Sequence, residues 1–159
     1  MAHRSFAIGD LHGDIGALRT LLSRLPSLDA TDTIVFLGDY VDRGPDSAGV
    51  LDHLRFVLPS QTPARIVCLR GNHEDAWLQV LRQQGWAGFT QPRSNGCYQC
   101  AESFLRRWPV LPGPDDMESM IHSGGFFPCW AAHWFASLPF WYEDDHAIYV
   151  HAGLPKVDE

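Results

Sequence analysis

The sequence has 159 residues, 45% of them hydrophobic, with 12 Lys and Arg against 19 Asp and Glu for a formal net charge of −7. That length and apolar content fit one domain with a buried core and exclude intrinsic disorder. The acidic balance argues against a nucleic-acid-binding face, yet it leaves room for phosphorylated substrates where metal cations supply positive charge locally.

Three short apolar runs share one grammar along the chain. Ser5-Phe6-Ala7-Ile8 ends at Gly9-Asp10, Thr33-Ile34-Val35-Phe36-Leu37 at Gly38-Asp39, and Arg65-Ile66-Val67-Cys68-Leu69 at Gly71-Asn72. Such β-branched, nearly continuous runs predict strands buried on both faces of a parallel sheet. Between the first two runs, Ile15, Leu18, Leu21, Leu22 and Leu25 recur at helical spacing, with Asp14 as N-cap and Pro26 closing the segment. Pro45 is expected to open a second helix, with Ala48, Leu51, Leu54 and Leu58 on its apolar face and Pro59 following it. The strand-to-strand interval matches a βαβ unit. A third helix follows through Ala76, Leu78, Val80 and Leu81.

Residues 85–125 read as an inserted cap or connector, with a helix near Tyr98–Trp108 and a turn at Pro112-Gly113-Pro114. An amphipathic segment, Trp130 to Leu138, then precedes two strands, Phe140–Tyr142 and Ala147–Val150, joined as a hairpin by Glu143-Asp144-Asp145. No stretch reaches the roughly 18 apolar residues of a membrane helix. The apolar run after Arg4 is too short for a signal peptide, and four cysteines without an export signal read as thiols. The expected address is cytoplasmic, with neither membrane nor nucleic acid as partner.

Ligands in open α/β sheets collect beyond the carboxyl ends of the strands. Here those ends carry Asp10 and His12, then Asp39 and Asp42, then Asn72 and His73, and a fourth strand ends at His151. A single Gly-Asp after a strand is ordinarily a turn, and a single His on an apolar strand ordinarily a core residue. Four strand ends that each present oxygen or imidazole donors point instead to a site for Mn²⁺, Zn²⁺ or Fe.

The blocks Gly9-Asp10-Leu11-His12-Gly13, Gly38-Asp39-Tyr40-Val41-Asp42-Arg43-Gly44, Arg70-Gly71-Asn72-His73-Glu74 and Val150-His151-Ala152-Gly153-Leu154 resemble, in order, the signatures of calcineurin-like metallophosphoesterases. More narrowly they resemble the bacterial and phage serine/threonine phosphoprotein phosphatases. The resemblance implies an α/β/β/α sandwich whose N-terminal half is a mostly parallel β-α-β-α-β unit. It implies two divalent ions, Mn²⁺ favoured with Fe, Zn²⁺ or Ni²⁺ as alternatives: Asp10 and His12 on the first, Asn72 and His151 on the second, Asp39 bridging both. It further implies hydrolysis of a phosphomonoester, on a phosphoprotein or a small molecule, by a hydroxide held between the ions. His73 would be the general acid, Asp42 its orienting partner, and Arg43 a fork onto phosphate oxygens. Arg70 has an assisting role or a surface salt bridge open to it, and Glu74 reads as a helix-start carboxylate.

One departure qualifies this expectation. The family's second ion ordinarily takes another histidine from a Gly-His block further on, and the sequence reaches Glu159 without one. The expectation is therefore one metallophosphoesterase domain over residues 1–159 lacking the family's C-terminal part, with an incomplete second sheet whose edge invites self-association. The nearest rival activity is that of the symmetrical dinucleoside tetraphosphate hydrolases, which tend to have Gly-Asn-His-Asp and a different residue at Asp42. From another class stands a catalytically impaired fragment that binds metal or a partner.

Other signals rank lower. Cys97 and Cys100, with Cys129 and His133, have partial zinc-site spacing, and His73-Glu74 starts like a zincin helix whose second histidine is replaced by Trp77. There is no phosphate-cradling loop with its lysine and no dinucleotide fingerprint. Trp130, Trp134, Phe135, Phe140 and Trp141 read as core or cap packing rather than as a nucleobase platform.

Overall fold

The computed structural model describes residues 3–82 and 95–154. The three predicted strands form one parallel sheet in the order β1 (Ser5–Ile8), β2 (Thr33–Phe36), β3 (Arg65–Cys68). Their register pairs Phe6 with Ile34 and Ile34 with Ile66. All four residues of the central strand are buried, as a run without polar alternation requires. Alternate side chains of β2 serve different neighbours: Ile34 and Phe36 pack with the helices, whereas Val35 joins Val67 and Leu69 against Tyr142 and Tyr149.

Helix α1 (Ile15–Ser23) starts where the sequence places it, the Asp14 carboxylate accepting from the Ala17 N–H at 2.8 Å. Helix α2 (Ser47–Asp52) starts two residues later than the expected Pro45, because Asp46 supplies the capping oxygen to the Gly49 N–H. Pro59 lies inside the continuing helix rather than after it. There the chain widens into a π turn (His53–Val57) before α3 (Leu58–Gln61), and the Leu58 N–H reaches back five residues to the His53 carbonyl. A proline ring has no N–H and crowds the carbonyl four residues earlier, so one wide turn relieves the clash without ending the helix.

Helix α4 (Asn72–Leu81) leaves β3 directly. Of the expected connector, residues 85–94 lie outside the described residues; beyond them α5 (Cys97–Leu105) and α6 (Pro114–Ser123) pack into the helical layer, α5 against α2 and α6 against α4. The expected turn at Pro112–Pro114 is the start of α6, with Pro114 in its first turn. Helix α7 (Cys129–Ser137) packs on α4 and leads to the antiparallel hairpin β4 (Trp141–Glu143) and β5 (Ile148–Val150). The layers are helices, parallel sheet and hairpin, an α/β fold. Among the described residues, no helix is long and apolar enough to cross a membrane.

The π turn buries His53 with neither ring nitrogen hydrogen-bonded among the described residues. Burial, reinforced by Arg19, lowers its pKa below the usual 6.5. The unfolded chain therefore takes the proton first, and stability is lost as pH falls from about 6.5 toward the depressed folded value. Replacing His53 with leucine removes two unsatisfied polar atoms, each of which costs about 1 kcal/mol or more when buried. The expected result is a thermal midpoint roughly 4–8 °C higher and a shallower acid loss between pH 6.5 and 5, read by calorimetry across that range; an unchanged acid slope would contradict it.

Candidate metal centre

The loops that leave β1 and β2 are laced together by their own backbones. The Leu11 and His12 N–H groups both donate to the Asp39 carbonyl (3.0 and 2.8 Å), Gly13 donates to Tyr40, and Gly44 donates to His12. Four non-glycine residues take positive φ here: His12 (41°), Asp39 (55°), Asp42 (70°) and Arg43 (63°). Such left-handed conformations cost energy and persist only where surrounding contacts fix them. Gly44 is obligatory in this crossing, since a Cβ would come within 2.1 Å of the His12 carbonyl oxygen.

Glu74, read from the sequence as a helix-start carboxylate, does that and more. Its side chain accepts from the Gly71 N–H at its own helix terminus (3.0 Å) and also reaches across to the Asp39 and Tyr40 N–H groups (2.8 Å each). One fully buried carboxylate thus ties the exit of β3 to the exit of β2. Burial, then the neighbouring Asp39 charge, push its pKa up to about 7, against the pull of the three N–H donors. Tyr40 adds a second tie, donating its hydroxyl hydrogen to the Leu69 carbonyl at 2.6 Å.

At this junction the side chains named from the sequence converge on Asp39. Its Oδ2 lies 3.7 Å from His12 Nε2, 3.4 Å from His151 Nε2 and 3.9 Å from His73 Nε2, and His12 Nε2 is 3.6 Å from Asp10 Oδ2. Asn72 Oδ1 sits 2.8 Å from His151 Nε2. Two triads, His12–Asp39–His73 and Asp10–Asp39–His151, each bring three donor atoms close enough to hold one ion.

The donor chemistry fits divalent cations. His12 Nδ1 donates to the Val41 carbonyl and His151 Nδ1 to the Leu37 carbonyl, which leaves Nε2 of each ring as the free electron pair. His12 Nε2 is buried and has no hydrogen-bond partner among the described residues. His151 Nε2 and Asn72 Oδ1 face each other as two acceptors. Donors around one ion at about 2.1 Å stand roughly 3.0–3.5 Å apart, close to the separations seen.

Beside this cluster, His73 Nδ1 is 2.7 Å from Asp42 Oδ2, and both side chains are buried. Burial opposes the imidazolium, but the Asp42 hydrogen bond and charge, with Asp39 and Glu74 behind, outweigh it and raise the His73 pKa. Arg43 stands exposed at the rim, Nη2 3.4 Å from His73 Nε2.

A family model for calcineurin-like phosphoesterases matches residues 3–156. The chain belongs to the calcineurin-like phosphoesterase family. Its relatives include symmetrical bis(5'-nucleosyl)-tetraphosphatases from Chromohalobacter salexigens, 33% identical over 80% of this chain and 46% of that protein, and from Pectobacterium atrosepticum, 31% identical over 79% and 44%. The chain spans about half the length of these curated relatives. A crystal structure of a candidate diadenosine tetraphosphatase shares the fold, with a TM-score of 0.58 and 21% identity over 94% of this chain and 50% of that one. The relatives thus bear the name of the rival reading rather than that of the phosphoprotein phosphatases.

In this chain the lower-ranked signals resolve differently. Cys97 and Cys100 are buried, Cys129 is exposed, and neither triad among the described residues includes them or His133, whose Nδ1 bonds the Cys129 carbonyl within its own helix. Arg70 takes the salt-bridge role, paired with Asp75 at 3.3 Å and stacked over Phe140. Trp134 and Phe135 are core residues as expected, but Phe140 and Trp141 are more than half exposed. Two features escaped the sequence: the reach of Glu74 into the neighbouring loop, and an indole N–H from Trp77 on the Asp42 carboxylate at 3.0 Å. The capping-box position of Glu74 was the visible signal for the first; nothing local announced the second.

Truncating Glu74 to alanine strands three buried N–H groups, each worth about 1–3 kcal/mol. Urea unfolding is expected to show a loss of at least ~3 kcal/mol, with Glu74→Gln losing less because it keeps the shape but turns one acceptor into a donor. A loss below ~1 kcal/mol for the alanine variant would mean that water replaces the carboxylate.

Proposed function

We propose that this chain hydrolyses phosphoric anhydrides of dinucleoside tetraphosphates. The observation that carries the reading is the convergence of His12, His151 and His73 on Asp39 Oδ2, with His73 also paired to Asp42, in a chain whose relatives bear that activity in their names. Asp10 and His12 would hold one divalent ion, Asn72 and His151 a second, and Asp39 both, with Mn²⁺ favoured by the mixed oxygen and imidazole donors. Bound there, such ions supply positive charge to the phosphates and bring the pKa of water toward neutrality.

The chain's own groups then divide the remaining work. His73 holds a proton at Nε2 within reach of the bridging cluster, and Asp42 fixes the ring by accepting from Nδ1. Arg43 offers a planar fork to phosphate oxygens at the rim, a geometry lysine lacks. One observation favours phosphomonoester hydrolysis, of a phosphoprotein or small molecule, as a second reading. A tightly held proton donor matters most when the leaving group is a basic alkoxide, and least for a phosphate leaving group.

Turnover of diadenosine tetraphosphate and of p-nitrophenyl phosphate, each with Mn²⁺, separates these readings by the ratio of kcat/KM. Asp39→Asn is expected to lose at least about 100-fold on both. A ratio favouring the monoester would support the second reading. Rates equal to the Asp39→Asn background on every substrate would leave a chain that binds metal or a partner without turnover.

A further inference from the structure

The His73–Asp42 pair rests on a third residue. Trp77 lies four positions after His73 on α4, one turn along the same helix face. Its Nε1–H donates to both Asp42 oxygens at 3.0 Å, while His73 Nδ1 engages Oδ2. Trp77 and Asp42 are wholly buried. The indole plane is itself fixed edge-to-face by Phe126 and Phe127, each with ring centroid 5.2 Å away.

From this geometry we infer that Trp77 is a positioning residue for proton donation, holding Asp42 so that His73 presents Nε2 to the leaving group. This inference rests on the proposed role of His73 as proton donor. The Asp42 carboxylate has its rotation fixed from outside, by the indole N–H on both oxygens and the imidazole on one. A neutral donor placed across both oxygens does that without cancelling the charge that stabilises the imidazolium. A lysine or arginine in the same place would cancel it. An indole N–H donates only and does not titrate, so it cannot exchange roles with its partner. The Cys100 thiol, against Asp42 and Ser47 from α5, closes the same pocket. The His73-x-x-x-Trp77 spacing, which mimics half of a zincin helix, thereby acquires a purpose of its own.

The test is a leaving-group comparison, because a basic phenolate needs the proton and p-nitrophenolate barely does. For Trp77→Phe, kcat on phenyl phosphate relative to p-nitrophenyl phosphate is expected to fall about 10-fold or more, with KM within about twofold, as loss of one hydrogen bond to a charged group implies. Adding Trp77→Phe to Asp42→Asn is expected to cost no further ratio. If Trp77→Phe does not fold, the ordering Trp77→His, which keeps a ring N–H, above Trp77→Leu carries the same comparison. In the metal-free protein, the Trp77 indole proton is expected to resist hydrogen exchange and to lose that protection in Asp42→Ala, which removes the acceptor. Equal losses on both esters, or unaltered protection, would overturn the inference while leaving the proposed hydrolysis standing. An unaltered ratio in Asp42→Asn would overturn the proton-donor role as well, and absence of turnover by the unmodified chain would overturn the proposed function itself.

Discussion

Three carboxylates, Asp39, Asp42 and Glu74, are buried at one end of a three-stranded sheet, and the structure is organised around that concentration of negative charge. Among the described residues, the basic side chains set against Asp39 and Asp42 are histidines rather than lysine or arginine. Unpaired charge in a low-dielectric interior is costly, so each carboxylate is met in a different way. Glu74 is spread over three backbone N–H groups, Asp42 is shared by an imidazole and an indole, and Asp39 faces the Nε2 electron pairs of His12 and His151, which suit a cation. The fold supplies the rest of the solution by letting successive parallel strands end side by side, which brings residues 10, 39 and 72 to one place, and the end of β5 in the hairpin adds His151.

Much of this was legible in the residues. The runs at Ser5–Ile8, Thr33–Phe36 and Arg65–Cys68 announce strands because they lack polar alternation, and Asp14 announces a helix start because its oxygen reaches a first-turn N–H. The grouping around Asp39 could be anticipated because donor residues recur at every strand end. What could not be read were relations between distant segments. A lone glutamate does not declare that it will cross to Asp39 and Tyr40, and a tryptophan on a helix resembles any core residue until its N–H finds Asp42. Pro59 misled for the opposite reason: a local rule says helix end, while tertiary packing of Leu54 and Leu58 keeps the helix going through a wide turn.

The helices beyond the first three strands have a clearer purpose than their sequence suggested. From Gly96 onward they supply backing rather than ligands. Gly96, at φ 80°, presses so closely on the Arg43 backbone that a Cβ would come within 2.2 Å of its nitrogen. Ser103 receives the Ala48 N–H at the start of α2, and Phe126 and Phe127 brace the indole. These contacts back the Asp42–Arg43 turn and the residues packed around it.

The four left-handed residues in the strand-exit loops carry a cost that reaches past the site itself. At His12, Asp39, Asp42 and Arg43 a glycine would relax the backbone, so the side chains there are retained against the conformational preference of the chain. Relaxing the backbone at any of these four positions removes a side chain from the candidate site, so gains in heat resistance are to be sought elsewhere in the molecule.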